Sequence, residues 1–410
     1  MPQLSDFSDI QVGSNPVNEV YVGNTLVWTR AEFIPFTMTQ DTSIGTTLEG
    51  WYNCSSVETT INIDWGDGTI DSNLLAGTYT HVYAVNSIYT IIVHGVQTPY
   101  FNDNPETDKI ITITSIGDAI LRDSSFRGAI NMTSFNMNNT IPYTHPNSDI
   151  LTGCFRDCES LNEINFKDWD LSLVTSFFYF LRSTFKNNTN ITTTVLDLST
   201  VIFPANVSFN GFLIFASFIT SVNFPDMSGK PMKNLRDVFN SCFALTSVPN
   251  IETFKGTSSV VNFLKDCTSY LDPAIDLWDI TEINDYTGFA TNVTWDVNHY
   301  QNVLNAWAVG NPMINQTPDF GNNRANQTGR PGHDTLIDTF GWTITDLTTR
   351  LEVISEETSS VELSWNTSGT FDVEFTLSSV INWQLYGSGT SPFWVTNLDT
   401  DTYLFRINGN

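Results

Sequence analysis

Positive charge is scarce in this sequence. Its 410 residues hold 17 Lys and Arg against 44 Asp and Glu, a formal charge of −27. Such a field repels nucleic-acid phosphates and anionic membrane surfaces, so neither is expected as a partner, and the acidity also serves solubility. Histidine is equally sparse. His81, His94, His145, His299 and His333 are scattered along the chain, with no HExxH pair for a metal. No GxSxG elbow, P-loop or GxGxxG turn stands in a strand–helix context, and no carboxylate pair is singled out in so acidic a chain. No run approaches the roughly 18 apolar residues that span a bilayer, so membrane insertion is not expected. The opening Met1 to Ile10 has neither the basic nor the apolar segment of a secretory leader. These absences lead to the expectation of a non-enzymatic chain, without cofactor, made in a cytoplasm.

Cysteine is limited to Cys54, Cys154, Cys158, Cys242 and Cys267. Cys154 and Cys158 stand four apart with no second pair to complete a metal set, so buried structural thiols are expected, with a disulfide or metal as the alternative. What the chain does have is apolar and aromatic mass, 40% and 13%, with only 15% charged residues and much Asn, Thr and Ser. That is a strand-and-turn composition with ample material for packed cores.

From Ile110 to Asp346 an apolar residue, a small residue and an aliphatic residue recur at spacings of about three. Phe155, Cys158 and Leu161 form one copy, and Phe239, Cys242 and Leu245 another. Phe126 with Ala129 and Met132, Leu213 with Ala216 and Ile219, and Phe263 with Cys267 and Leu271 are weaker copies. The small residue steps by 29 (129 to 158), 26 (216 to 242) and 25 (242 to 267), and no copy is aligned between 158 and 216. Such a period predicts a solenoid whose units bury their apolar edges only against neighbours, with a ladder of Phe inside it. Each unit is expected to carry a short strand near its Ile/Val positions and a helical turn or loop around the Phe. The Asn/Thr-rich insertions 136–147 and 185–194 are expected as loops.

Eleven positions after two of the small residues come Trp169-Asp-Leu171 with Val174, and Trp278-Asp-Ile280 with Ile283. On these residues the array resembles the BspA-like leucine-rich-type repeats of bacterial surface and phage proteins. Tyr300 to Trp307, Phe320-Gly-Asn-Asn323 and Gly341 to Asp346 resemble that family's closing cap. The resemblance spans somewhat over half the chain and implies the fold, with adhesion and display as the general use.

Earlier, Ile61-Asn-Ile-Asp64-Trp65-Gly66-Asp67-Gly68 is an alternating strand ending in an Asp-Gly turn, followed by Tyr79-Thr-His81-Val-Tyr83. This pairing resembles polycystic-kidney-disease-type (PKD) sandwiches. Asp64, Asp67 and Asp71 are a weak calcium candidate, the alternative being carboxylates that bond their own turn. His81 is read as a packed strand residue.

Val20-Tyr-Val22 and Leu26-Val-Trp28, about a Gly23-Asn24 turn, predict a hairpin too small to bury its own apolar faces. With Ile10 to Val17 it resembles the N-terminal lead of phage virion proteins, which implies an attachment module. Val20, Tyr21, Val22, Leu26, Val27 and Trp28 are then the docking residues; the alternative is a hairpin packed on the next domain. After Asp346 the pattern has period two, in six strands that predict an immunoglobulin- or fibronectin-type sandwich. There Trp383, Tyr386 and Trp394 flank a glycine-rich loop and are candidate glycan contacts, unless they are core.

The expected fold is therefore mainly β and multidomain: an attachment hairpin (1–32), a PKD-like β-sandwich (33–98), a BspA-like solenoid with its cap (99–346) and an immunoglobulin-like β-sandwich (347–410). The expected function is that of a structural virion component, a fibre, appendage or decoration protein. It would be made in the host cytoplasm, with other virion proteins and itself as partners and a host-surface glycan or protein as a further one. A secreted bacterial adhesin at the cell surface is the alternative, and a polysaccharide-degrading enzyme a third.

Overall fold

A computed structural model describes the backbone of residues 34–44, 49–57, 60–102, 105–136, 151–186, 194–325 and 330–346. It also describes ten strands nearer the two ends, and side chains only between 34 and 346. Among these residues the protein is mainly β, in several sheets, with two α-helices. It divides into two compact units, residues 1–204 and 205–410.

The first unit opens with β1 (Ile10–Val12), β2 (Asn15–Val17), β3 (Glu19–Val22) and β4 (Thr25–Thr29). Next come β5 (Phe36–Asp41), β6 (Glu49–Val57), β7 (Ile61–Asp64), β8 (Ile70–Leu74), β9 (Gly77–Val82), β10 (Ile88–His94) and β11 (Gln97–Pro99). The repeats contribute β12 (Ile110–Ser115), β13 (Ser134–Phe135), β14 (Glu163–Ile164) and β15 (Val195–Asp197). One sheet has the order β14-β13-β12-β5-β10-β7-β8 and a second the order β11-β6-β9. Alternation builds the core between them: Phe36, Met38, Ile61, Ile63, Ile91 and Val93 are buried from one sheet, Trp51, Tyr52 and Cys54 from the other. Buried Gln40 joins the sheets, its Oε1 accepting the Trp51 N–H at 2.9 Å while its Nε2 donates to the Trp51 carbonyl. The sheet does not stop at residue 98. β12 pairs antiparallel with β5, then parallel with β13, which pairs parallel with β14. The first repeat strand thus covers an edge of β5 that would otherwise stand open.

From β12 onward the chain coils within each unit, described turns hydrogen-bonding in parallel to their neighbours. The Phe126 N–H reaches the Cys154 carbonyl at 2.8 Å (126 to 154, a step of 28), and Phe155 reaches Phe180 at 3.0 Å (155 to 180, a step of 25). In the second unit Phe239 reaches Phe263 at 3.1 Å (239 to 263, a step of 24). Strands at the Ile/Val positions are short, as expected: β16 (Val207–Ser208), β17 (Ser221–Asn223) and β18 (Met232–Asn234). Parallel bridges Ser221–Ser247 and Ser259–Asp285 continue the ladder.

The segment around each Phe is not helical. It is a run of tight turns in which alternate N–H groups bond locally and to the next turn. Gly153, Phe155 and Asp157 donate to Phe178, Phe180 and Arg182, while Cys154, Arg156 and Cys158 donate to carbonyls three residues back. Two residues per turn, on either side of the apolar slot, take the left-handed conformation. They are Ser124 and Gly128, Gly153 and Asp157, Tyr179 and Ser183, Gly211 and Phe215, Asp237 and Ser241, Asn262 and Asp266, Gly288 and Asn292. Most are Gly, Asn, Asp or Ser, the residues that tolerate positive φ at least cost.

This register corrects one alignment and supplies a missing copy. Leu264, not Phe263, occupies the slot three before Cys267, since the Cys267 N–H bonds to the Leu264 carbonyl at 3.0 Å. The absent copy is Leu181 with Thr184. The Thr184 hydroxyl donates to the Phe155 carbonyl at 2.8 Å, as the Cys158 thiol does to Phe126 at 3.2 Å and the Cys242 thiol to Leu213 at 3.0 Å. Inside the coil run aromatic contacts, Phe126–Phe155 at 5.4 Å and Phe155–Phe180 at 5.3 Å in one unit, Phe239–Phe263 at 5.2 Å and Phe263–Phe289 at 6.2 Å in the other.

Helices α1 (Val297–Val309) and α2 (Arg330–Asp338) follow. Asp296 caps α1 by accepting the N–H groups of Asn298 and His299, and Tyr300, Val303, Leu304 and Trp307 form its buried stripe. The helices meet at Gly332, where a Cβ would lie 2.6 Å from the Asn305 nitrogen. The C-terminal strands β19 (Leu351–Ile354), β20 (Ser360–Leu363), β21 (Phe371–Leu377), β22 (Val380–Gly389), β23 (Phe393–Thr396) and β24 (Thr402–Gly409) form two antiparallel sheets, ordered β19-β24-β21-β22 and β20-β23.

Candidate functional site

The docking residues of the N-terminal segment lie on β3 and β4. These strands pair antiparallel, with Val20 opposite Trp28, Tyr21 opposite Leu26 and Val22 opposite Thr25, and a register shift between Val20 and Tyr21. Gly23 and Asn24 lie outside the described residues, as do the side chains of both strands. β1 and β2 form a second antiparallel pair. Each pair is a two-stranded sheet that no other strand joins among the described residues. Two-stranded ribbons of this length are marginal alone and leave outer edges of backbone N–H and C=O groups.

The candidate glycan residues are on two sheets. Trp383 and Tyr386 are on β22, which pairs with β21, and Trp394 is on β23, which pairs with β20. Their side chains, and the loop 390–392, lie outside the described residues.

The aspartate turn is fully described, and its carboxylates are engaged separately. Asp64 Oδ1 accepts the Gly66 N–H at 2.9 Å, and Asp71 Oδ2 accepts the Trp65 indole N–H at 2.9 Å. Asp67 Oδ1 accepts the Thr69 N–H and hydroxyl, while Oδ2 lies 2.7 Å from His81 Nε2. The Thr69 hydroxyl and His81 hold the Asp67 carboxyl down at about 2. His81 stacks on Trp65 at 5.3 Å, and the Tyr83 hydroxyl donates to the Trp65 carbonyl at 2.8 Å. Among the described residues no three His, Cys, Asp or Glu side chains converge as metal ligands. The arrangement ties a turn between β7 and β8 to the strand β9.

All five cysteines are buried thiols outside any disulfide. Burial pushes the Cys242 thiol up to about 12 and raises those of Cys54, Cys154 and Cys267. They are poor nucleophiles at neutral pH. In the second unit the Tyr300 hydroxyl donates to Asp346, whose Oδ2 is 3.4 Å from His333 Nε2, with Asp334 3.4 Å from Nδ1. All four side chains are buried, so this network fastens α1, α2 and the chain after them.

One cluster escaped the sequence reading. Arg156 and Arg182 both lie over the Tyr179 ring, at 5.8 and 4.7 Å from its centre, and Phe178 packs beside that ring at 3.8 Å. Its signal, an Arg one residue after the apolar slot in three successive turns, was hidden because the copy at Leu181 was not aligned.

No helix among the described residues is long and apolar enough to cross a membrane. No family model matches the chain, and no curated protein or solved structure matches it.

Proposed function

We propose that this chain is a non-enzymatic structural component of a bacteriophage virion, a fibre, appendage or decoration protein, held to the particle by its N-terminal hairpins. The observation that carries the reading is the isolation of β1–β2 and β3–β4, two ribbons that join no other strand among the described residues. A ribbon with Val20, Val22, Leu26 and Trp28 on so few strands gains most by adding to the sheet edge of another protein, which covers apolar side chains and backbone together. The partner is another virion protein or a second copy of this chain. Beyond the hairpins, we read the paired sheets of residues 33–98 as PKD-like, the parallel coil as a BspA-like solenoid and the six terminal strands as an immunoglobulin-like sandwich. The coil's steps of 24 to 28 residues support the second of these (126 to 154, 239 to 263).

The reading is tested with Val22→Asp and Trp28→Asp, separately and together, in particles assembled with each variant. The double variant should fold as the parent does and be lost from purified particles. Full incorporation of the double variant would remove the hairpin as the anchor.

A further inference from the structure

Only ten of the residues are arginine, yet three of them share one position in successive turns of the first unit. Arg127 follows Phe126, Arg156 follows Phe155 and Arg182 follows Leu181, the apolar slots of their turns. The backbone holds them in register: the Gly128 N–H donates to the Arg156 carbonyl at 2.9 Å, and the Asp157 N–H to the Arg182 carbonyl at 2.9 Å. Hydrogen-bonded neighbours of this kind lie about 4.8 Å apart, so the backbones of the three arginines are stacked at close spacing. In a chain of charge −27 that arrangement is not what solubility requires.

Arg156, Arg182, Phe178 and Tyr179 are all partly exposed. Asp157 pairs with Arg156 at 3.1 Å and Glu159 with Lys186 at 3.5 Å. The Arg182 Nε is buried and has no hydrogen-bond partner among the described residues. Tyr179, whose ring both guanidiniums approach, holds a φ of 57°. A left-handed backbone is costly for a bulky residue, and most turns place Gly, Asn, Asp or Ser at such positions. Strain of this kind persists where a side chain is needed in place.

We propose that Arg156, Tyr179 and Arg182, with Phe178 and the flanking Arg127, bind a carboxylate-bearing sugar. Guanidinium groups take carboxylates through paired, charge-assisted hydrogen bonds, and half-exposed rings take the apolar face of a pyranose. The whole-chain field favours a ligand of few charges over a nucleic acid. The inference deepens the virion-component function proposed above and rests on it for its purpose. Its test uses the purified chain, so it fails or succeeds independently of particle attachment.

The full chain is titrated calorimetrically with a galacturonic acid trisaccharide, the neutral galactose trisaccharide, inorganic sulfate and a single-stranded DNA oligomer. Saturable binding of the uronate and tenfold or weaker binding of the neutral sugar are expected. Arg156→Gln and Arg182→Gln should each weaken uronate binding at least tenfold. Tyr179→Asn suits the left-handed backbone, so it should melt no lower than the parent and yet bind at least tenfold more weakly. Three outcomes overturn the proposal: no uronate binding, binding unchanged in Tyr179→Asn and Arg156→Gln, or sulfate or DNA bound as tightly as the uronate.

Discussion

Left-handed residues set the rhythm of the coil, and most of them are small or polar for a steric reason. Phe215 is an exception, with φ 63° and a partly exposed ring. Phe215→Asn relieves the backbone and should raise stability by about 1 kcal/mol. Phe239 is the opposite case: wholly buried in the slot, against Phe263 and Phe224. Phe239→Ala should cost roughly 3–5 kcal/mol. Lys233→Ala, at an exposed position, should be nearly silent. Urea melts of the three give the order Phe215→Asn, Lys233→Ala, Phe239→Ala; equal midpoints would remove the slot as a core position. The slot and its small partner were legible in the sequence because Phe155–Cys158 and Phe239–Cys242 repeat side-chain size. Thr184 was not, because its role is to donate a hydrogen bond that Cys158 and Cys242 supply with a thiol, and composition does not display that equivalence. Nor does it display positive φ, which Ser124, Asn262 and Tyr179 share without sharing chemistry.

At the scale of elements, successive coil turns place two short 3₁₀ segments side by side, Ile251–Thr253 and Pro273–Leu277. Glu252 Oε2 and Asp276 Oδ1 are both buried there without a hydrogen-bond partner among the described residues. Burial, with Asp272 adding to it, pushes the Asp276 carboxyl up to about 6. An acid whose folded pKa is raised favours the fold in its protonated form. Its stabilisation is therefore present below about 4 and is lost as pH rises from 4 to 6. Asp276→Asn should melt higher than the parent at pH 7 and show a flatter pH dependence between 4 and 6 (the window set by that shift). Thermal melts across that range check it, and a parallel pair of curves would show that Asp276 does not titrate there. Strand elements were legible where alternation is strict: the six terminal runs, from Leu351 to Ile407, fall on β19–β24. The turns around each Phe were expected as helical or looped because apolar residues three apart mimic one turn of a helix. The link from β12 to β5 was hidden for another reason. A shared sheet edge between residues 36–41 and 110–115 leaves no local mark in either stretch.

For the whole molecule, each compact unit carries one end of the chain, and each end is built of strands that pair only among themselves among the described residues. Acidity across the molecule disfavours contact with other anionic surfaces, and the proposed attachment would rest on shape and apolar contact. The proposed attachment depends on the first thirty residues alone, and the sandwich, coil and terminal strands are then cargo that the anchor carries. The most direct measurement is the occupancy of this chain on purified particles assembled with residues 1–30 deleted, read against a major capsid protein in the same sample. The account predicts a deleted protein that is folded, with the melting temperature of the parent, and absent from the particles. Occupancy equal to that of the intact chain would contradict it.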